Sequence, residues 1–452
     1  MTDALSSDLT VLKRVATAAP DSIDRWLDLC EAAERLKDFT EVLYAGDQIA
    51  RLAPGKAQPQ FIRGLALHRL DRIEEAIAAY RHVLDLHPAY LDAWINLGEC
   101  CQFLNRIPEA EDACKHAIAV SGQGIGDDEA QEFTEDQLGK YHWNLALLEL
   151  LKGDYRRGFA RYPARFKAIA GKARPLREQP LWRGEDLTGK TLLVSVDQGH
   201  GDTLLMARYL PLLKARGAKV VFQVQPALAP YLKEWDGADE VLEGGRDPVP
   251  PFDYHASEFD LPHYFGTSLL TVPASVPYLP LPRPDAHTEL PDDGVLKVAL
   301  TWSGNPDHRN DKRRSVPLQA FEPLFGVKDV LFFAANRDLR EGDKQFLSRH
   351  PVVDLAPVLS DFQVSAQFIK QMDLVISCDT SIAHLAGGMG KPLWVLLPFA
   401  PSWCWMLDRL DSPWYPTARL FRQQTRGDWG ETMGRLAAAL ADWSRKAKEK
   451  RA

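Results

Sequence analysis

Up to about residue 165 the apolar positions recur at helical spacing, and the same residue types return at a fixed interval. Pro20, Pro54 and Pro88 stand 34 residues apart, and Gly64 and Gly98, Ala76 and Ala110, and Tyr80 and Cys114 keep that interval. The fullest unit runs Trp94, Leu97, Gly98, Cys101, Ala110, Cys114, Ala117. Small residues at such places let paired helices approach closely, larger apolar ones fill the groove between neighbours, and proline ends the second helix because it cannot continue the hydrogen-bond ladder. Trp26 and Leu29 fit the same register further upstream. After a polar insertion near 122–136, another unit is read from Asn144, Leu145, Ala146, Gly153, Tyr155, Gly158 and Tyr162. About four units suffice for a stable stack.

The pattern changes near residue 175. Arg174-Pro175-Leu176-Arg177-Glu178-Gln179-Pro180 breaks the helical period and reads as a linker. Apolar strand-sized runs then alternate with helical stretches: strands at 192–196 and 220–224, helices at 203–216 and 226–235. A proline-rich stretch covers 273–291, after which strands are expected at 297–302, 330–335, 374–377, 393–397 and 420–423. Helices are expected between them at 318–325, 362–371 and 382–389. Such alternation implies parallel sheets covered by helices, with ligands outside the carboxyl ends of the strands. The boundaries expected are 1–125 for helical repeats, 126–174 for a further unit and linker, 175–290 and 291–425 for two α/β lobes, and 426–452 for a terminal amphipathic helix with a basic tail.

Composition narrows the function classes. The 452 residues are 45% hydrophobic and 26% charged, with a formal net charge of −8. Such a chain has no electrostatic footprint for nucleic acid or an anionic membrane. The start, Met1-Thr2-Asp3-Ala4-Leu5-Ser6-Ser7-Asp8, lacks a signal pattern, and no apolar run approaches the roughly 20 residues that span a bilayer. A cytoplasmic protein without a membrane span is expected. The six cysteines are scattered apart from Cys100 and Cys101, and are expected as buried thiols rather than metal ligands.

Three segments carry candidate chemistry. Ser377-Cys378-Asp379-Thr380-Ser381-Ile382-Ala383-His384-Leu385-Ala386 follows a strand and opens a helix, whose unsatisfied amides form an anion site. Asp379 is placed in range of the cap. Gln198-Gly199-His200-Gly201-Asp202-Thr203 is a strand-to-helix turn whose glycines let backbone approach a ligand. Trp302-Ser303-Gly304-Asn305-Pro306 is followed by His308, Asn310 and the cations Lys312, Arg313 and Arg314. Ser303 and Gly304 offer close polar contact to phosphate, and one of the three cations can neutralise it. No Asp-x-Asp occurs anywhere.

The 34-residue pattern resembles the tetratricopeptide repeat (TPR), an array that presents a groove to a peptide or protein. Asp379-Thr380-Ser381-x-x-His384 followed by Gly390-Lys391-Pro392 resembles the nucleotide-diphosphate motif of the heptosyltransferase family, glycosyltransferase family nine. There the third residue is glycine, where this chain has Ser381. The resemblance implies a TPR α-solenoid followed by a GT-B fold of two Rossmann-like, doubly wound lobes. It implies that Asp379, Thr380, Ser381, Ile382 and His384, with Ser303, Gly304, Asn305 and Lys312 or Arg313, hold a nucleotide-sugar donor. Gln198, Gly199 and Gly201 form the acceptor-side loop, with Asp202 as catalytic base and His200 as the alternative. Neither a metal nor a cofactor is implied. The aromatic stretch Trp403-Cys404-Trp405 and Ser412-Pro413-Trp414-Tyr415-Pro416 resembles one in TPR-linked members of the group. The activity expected is inverting, metal-independent glycosyl transfer to a hydroxyl of a protein acceptor recruited by the TPR groove, bacterial flagellin being one candidate. Transfer to a lipopolysaccharide core sugar, and a non-catalytic TPR scaffold with a degenerate GT-B module, are the rivals.

Overall fold

The computed structural model describes residues 2–122, 135–169, 173–175, 177–282, 288–291, 294–308 and 310–451. Most of the polar insertion near 122–136, Leu176 of the linker and part of the proline-rich stretch lie outside the described residues. The chain divides into two compact units, residues 1–148 with 161–174, and residues 149–160 with 175–452.

The first unit is helical: α1 (Thr2–Ala18), α2 (Ile23–Arg35), α3 (Phe39–Leu52), α4 (Ala57–Arg69), α5 (Ile73–Leu86), α6 (Leu91–Phe103), α7 (Ile107–Gly122) and most of α8 (Glu135–Leu151). The 34-residue period is written into its backbone. Lys37, Asp71 and Asn105, one interval apart, adopt positive φ of 59°, 63° and 54° at the turns after α2, α4 and α6. The next amides, of Asp38, Arg72 and Arg106, reach back to the carbonyls of Ala33, Leu67 and Cys101, each at 2.9 Å. This left-handed cap closes the carbonyls that a helix end leaves open. A second repeated device ties the helix pairs: the indoles of Trp26 and Trp94 each donate to a proline carbonyl, Pro20 and Pro88, at 2.9 Å. Trp26, Leu29, Ala33, Val42, Ala45 and Ile49 form the core at the start of the stack.

The second unit holds two sheets, every strand pairing in parallel. The smaller contains β1 (Thr191–Ser195), β2 (Lys219–Val224), β3 (Glu240–Glu243) and β4 (Tyr254–Ser257) in the order β3-β2-β1-β4. The larger contains β5 (Leu296–Thr301), β6 (Val330–Ala334), β7 (Val352–Asp354), β8 (Leu374–Cys378), β9 (Leu393–Leu397) and β10 (Ala418–Arg422), ordered β10-β9-β8-β5-β6-β7. Central strands β5, β8 and β9 are buried along their whole length, as parallel strands covered on both faces must be. Both sheets have a switch point, at β1/β4 and at β5/β8, where successive connections leave in opposite directions. The crevices beyond those strand ends are where such sheets bind ligands.

Three strands were absent from the sequence expectation, β3, β4 and β7. All three are short edge strands with half-buried residues, so they lack the continuous apolar run that marks a central strand. The helix expected at 203–216 is broken into His200–Met206, a 3-10 turn Ala207–Tyr209 and Leu210–Ala215, with Pro211 in the first turn of the last piece. The stretch 318–325 is a 3-10 helix, Leu318–Gly326, with Pro323 inside, and the helix at 226–235 shortens to Ala229–Leu232. Tyr155 and Phe159 belong to the second unit, where they pack against Trp403 and Trp414.

Candidate functional site

The β1 turn, the β5 loop and the β8 turn all stand at switch-point strand ends of the second unit. In the β1 turn, Gly199 is the cap of helix His200–Met206, and its amide donates to the Asp202 carboxylate at 3.1 Å. Asp202 therefore holds its own turn in shape, the reciprocal half of a capping box. Gly201 packs against the β8 turn so closely that an added Cβ would lie 2.8 Å from His384 Cδ2 and 3.3 Å from Ser381 Cα. Only glycine permits that approach. His200 is exposed, its ring 5.3 Å from that of Phe362. Desolvation by its neighbours, with a smaller push from the Arg337 charge, lowers its pKa from the usual imidazole value.

In the β5 loop, Trp302 and Ser303 are buried, and Asn336 organises both. Its carboxamide accepts the Trp302 amide at 3.2 Å and donates to the Ser303 carbonyl and hydroxyl at 2.9 and 3.0 Å. Asn305 closes an Asx turn by accepting the Asp307 amide at 2.9 Å. The cation brought to the β8 turn is Arg314: its Nη1 donates to the Asp379 carbonyl at 3.1 Å, and an added Cβ on Gly304 would sit 2.5 Å from its Nη2. Buried Asp311 holds Arg314, at 3.5 Å, and Arg340. Lys312 is exposed and Arg313 half-buried.

In the β8 turn the capping position of helix Ser381–Gly388 is Thr380, and neither its hydroxyl nor the Asp379 carboxylate caps a helix amide. The Thr380 hydroxyl instead meets the Ser377 hydroxyl at 3.1 Å. Asp379, read from the sequence as in range of the cap, stands one residue before it. His384 is buried, with Nδ1 2.8 Å from the Tyr415 hydroxyl and its ring stacked on Trp405 at 5.4 Å. Its Nε2 lies 3.8 Å from Asp379 Oδ1, beyond hydrogen-bond range. Desolvation dominates and lowers the His384 pKa to about 4; Asp379 opposes the shift, and Arg208 and Arg314 add to it. His384 is neutral at pH 7, and the carboxylate near Nε2 favours the tautomer with its proton there.

Several site residues carried no motif. Arg208 lies in the buried stripe Leu204-Leu205-Arg208-Tyr209, where helical spacing asks for an apolar side chain; a cation in that stripe is the signal that could have found it. Its guanidinium donates to the carbonyls of Leu205, Pro273 and Trp414 and to the Tyr278 hydroxyl, at 2.7–3.1 Å. Its faces meet the rings of Tyr278, Trp414 and Tyr415. The Trp403–Trp405 turn is buried beside His384, and Arg422 fixes it by donating to the carbonyls of Trp405, Met406 and Arg409. Among the described residues no group of three or more His, Cys, Asp or Glu is gathered to hold a metal ion, and no helix is long and apolar enough to cross a membrane. All six cysteines are buried thiols outside any disulfide.

Comparison with known proteins bears on these features unequally. Residues 67–123 match the tetratricopeptide repeat family model, so the chain contains TPR repeats. Protein FlbA of Caulobacter vibrioides is 26% identical over 94% of this chain and 74% of its own length. Human anaphase-promoting complex subunit 7 is 34% identical over 16% of this chain and 13% of its own length. The crystal structure of MamA aligns with 37% of this chain and 89% of its own, at 17% identity and a TM-score of 0.31, too low to carry any argument.

Proposed function

We propose that the second unit is a GT-B-type, inverting, metal-independent glycosyltransferase acting on a nucleotide-sugar, and that the TPR array recruits a protein acceptor. The observation that carries this reading is the convergence of three strand-end turns in which one turn needs glycine to touch the next. Gly201 lies against Ser381 and His384, and Gly304 lies against Arg314 and Thr380. Backbone amides at the start of helix Ser381–Gly388, the Ser303 hydroxyl and the Arg314 guanidinium supply donors for a diphosphate without a metal ion. Arg314 takes the role expected of Lys312 or Arg313, since it is the one held by Asp311 at the β8 turn.

In the proposed reaction the acceptor hydroxyl gives its proton to Asp202 as its oxygen bonds to the anomeric carbon. The bond from that carbon to the phosphate oxygen breaks, and its electron pair leaves with the nucleoside diphosphate. Donors already in place there lower the barrier, because charge develops at the leaving oxygen. Neutral His384 adds no competing positive charge and donates from Nε2. His200 remains the second candidate for the base.

The test is release of nucleoside diphosphate from a panel of nucleotide-sugars, with and without acceptor protein. Turnover that survives in the wild type and falls by about 10²-fold or more in Asp202→Asn supports the assignment. Turnover that is lost in His200→Ala and kept in Asp202→Asn moves the base to the imidazole. Deleting residues 1–125 is expected to abolish transfer to the protein acceptor while nucleotide binding persists; an intact transfer rate removes the array from acceptor recruitment.

A further inference from the structure

Beneath the β1 turn lies a group that the reaction above does not use. Glu258 follows β4 at the switch point of the smaller sheet and is 1% exposed. One carboxyl oxygen, Oε1, accepts the Asp197 amide at 3.4 Å. The other oxygen, Oε2, is buried without a hydrogen-bond partner. The charged groups acting most strongly on Glu258, Asp197 and Asp202, are both negative. Around it, the Ser257 hydroxyl donates to Asp197, Gln225 donates to Thr203 Oγ1 at 3.0 Å, and Phe259 packs on Trp403. Cys404, next to Trp403 in the chain, is a buried thiol whose ionisation is pushed well above the ordinary range by desolvation first, then by Asp379 and Asp202. The setting is thus a buried carboxyl, two carboxylates close by and a neutral thiol.

A carboxylate sunk in such surroundings is strongly disfavoured unless a cation faces it. Carboxyl groups that interact in this way cannot all ionise at once, and the one least stabilised as an anion keeps a proton. Desolvation, and then the charges of Asp197 and Asp202, raise the Glu258 pKa well above the carboxylate range. The Asp202 carboxylate is half-buried and already bonded to the Gly199 amide, so the charge stays on Asp202 and the proton on Glu258.

We propose that Glu258 is a positioning residue for Asp202, a neutral acid beneath the β1 turn that leaves Asp202 as the ionised carboxylate of that turn. The positioning role depends on Asp202 being the base; the protonation of Glu258 does not. When Glu258 ionises at high pH, a second negative charge appears under the turn and acts on both Asp202 and an approaching diphosphate. Transfer in the wild type then declines at high pH, and Glu258→Gln, which keeps a neutral group of the same shape, moves that decline upward.

Infrared difference spectroscopy of the full-length protein tests this directly. A carboxylic-acid C=O band is expected at pH 7, absent from Glu258→Gln and present in Asp202→Asn. In Asp202→Asn the band should titrate at lower pH, because one of the two negative charges is gone. Absence of the band from the wild type, or an unchanged midpoint in Asp202→Asn, overturns the coupling whether or not the protein transfers sugar. A second measurement needs no substitution at Glu258. The melting temperature of the wild type should fall as pH rises through the Glu258 titration, since a raised folded-state value means that the native state binds the extra proton. The fall should shift to lower pH in Asp202→Asn, and the same fall at an unchanged pH counts against the proposal. A band that behaves as expected, with no nucleotide-sugar turnover, keeps Glu258 as the neutral partner of Asp202 and rejects the transferase reading alone.

Discussion

The two units of this chain bury different things. In the repeat unit the core is apolar, and among the described residues only Gln60 and Arg165 are buried polar or charged side chains. Its thiols Cys100, Cys101 and Cys114 act as small hydrophobes, with burial raising Cys101 to about 11 and Cys114 to about 12. The second unit buries Arg208, Glu258, Asp260, Asp311, Asp343 and His384. Several of these stand at strand ends. Burying charged groups costs free energy that the repeat unit incurs at Arg165 and the second unit at many more places, so the proposed site is placed where those groups collect, beyond the β1, β5 and β8 ends. Periodicity alone specifies the first unit; the second needs particular side chains in particular places.

The largest effect that can break this contrast is removal of the Arg208 guanidinium. Arg208→Met strands the carbonyls of Pro273 and Trp414, leaves the Tyr278 hydroxyl its bond to the Leu204 carbonyl, and should cost about 3 kcal/mol or more. An unfolding free energy from denaturant titration within about 0.5 kcal/mol of wild type, the size of a surface substitution, would deny that the buried cation organises the site.

A pair of glycine substitutions sharpens the comparison. Gly201→Ala places Cβ 2.8 Å from His384 and should destabilise by about 1–3 kcal/mol while weakening nucleotide binding. Gly98→Ala in helix α6 meets nothing nearer than the Ala110 carbonyl at 3.4 Å, so helix propensity prevails and the change is neutral or stabilising by up to ~1 kcal/mol. Equal melting temperatures for the two variants would erase the distinction between a spacing glycine and a contact glycine.

The acid limb of stability is a smaller effect. His384 has a folded-state value near 4, below its unfolded value near 6.5. The stability it confers is therefore complete above about pH 6.5 and is lost as pH falls towards 4, by at most about 1.4 kcal/mol per pH unit. His384→Gln should flatten that limb, and an unaltered slope in urea titrations would assign it elsewhere. The smallest expected effect is that of chelation: excess EDTA should leave nucleotide-sugar turnover unchanged, and restoration of lost turnover by magnesium or manganese would refute the donor set proposed around Arg314.

Much of the architecture could be read in the sequence because it depends on repeating or continuous apolar patterns. The proline, glycine and alanine spacings located the helix pairs, and β5, β8 and β9 stood out by their apolar runs at 298–300, 374–376 and 393–397. The edge strands β3, β4 and β7 did not, since half-exposed edges carry no such run. Within the site, the glycine turns around Gly201 and Gly304 and the Asp379–His384 segment were visible as motifs. Arg208, Asn336 and Glu258 were not, because their partners are 33 to 206 residues away in sequence and meet only when the sheets are folded. Arg314 was one of three adjacent cations, and its selection depends on Asp311, which no local pattern reveals.

The central claim is that a nucleoside diphosphate binds where the β5 loop meets the β8 turn. Calorimetric titration of the full-length protein with a panel of nucleoside diphosphates, wild type beside Arg314→Met, tests it most directly. The account predicts that one base identity binds the wild type, that saturation at about 100 times its dissociation constant adds about 2.7 kcal/mol of stability, and that Arg314→Met weakens it by about 10-fold or more, the loss of a charge-assisted hydrogen bond. Failure of every nucleotide to bind, or equal binding by Arg314→Met, would contradict it.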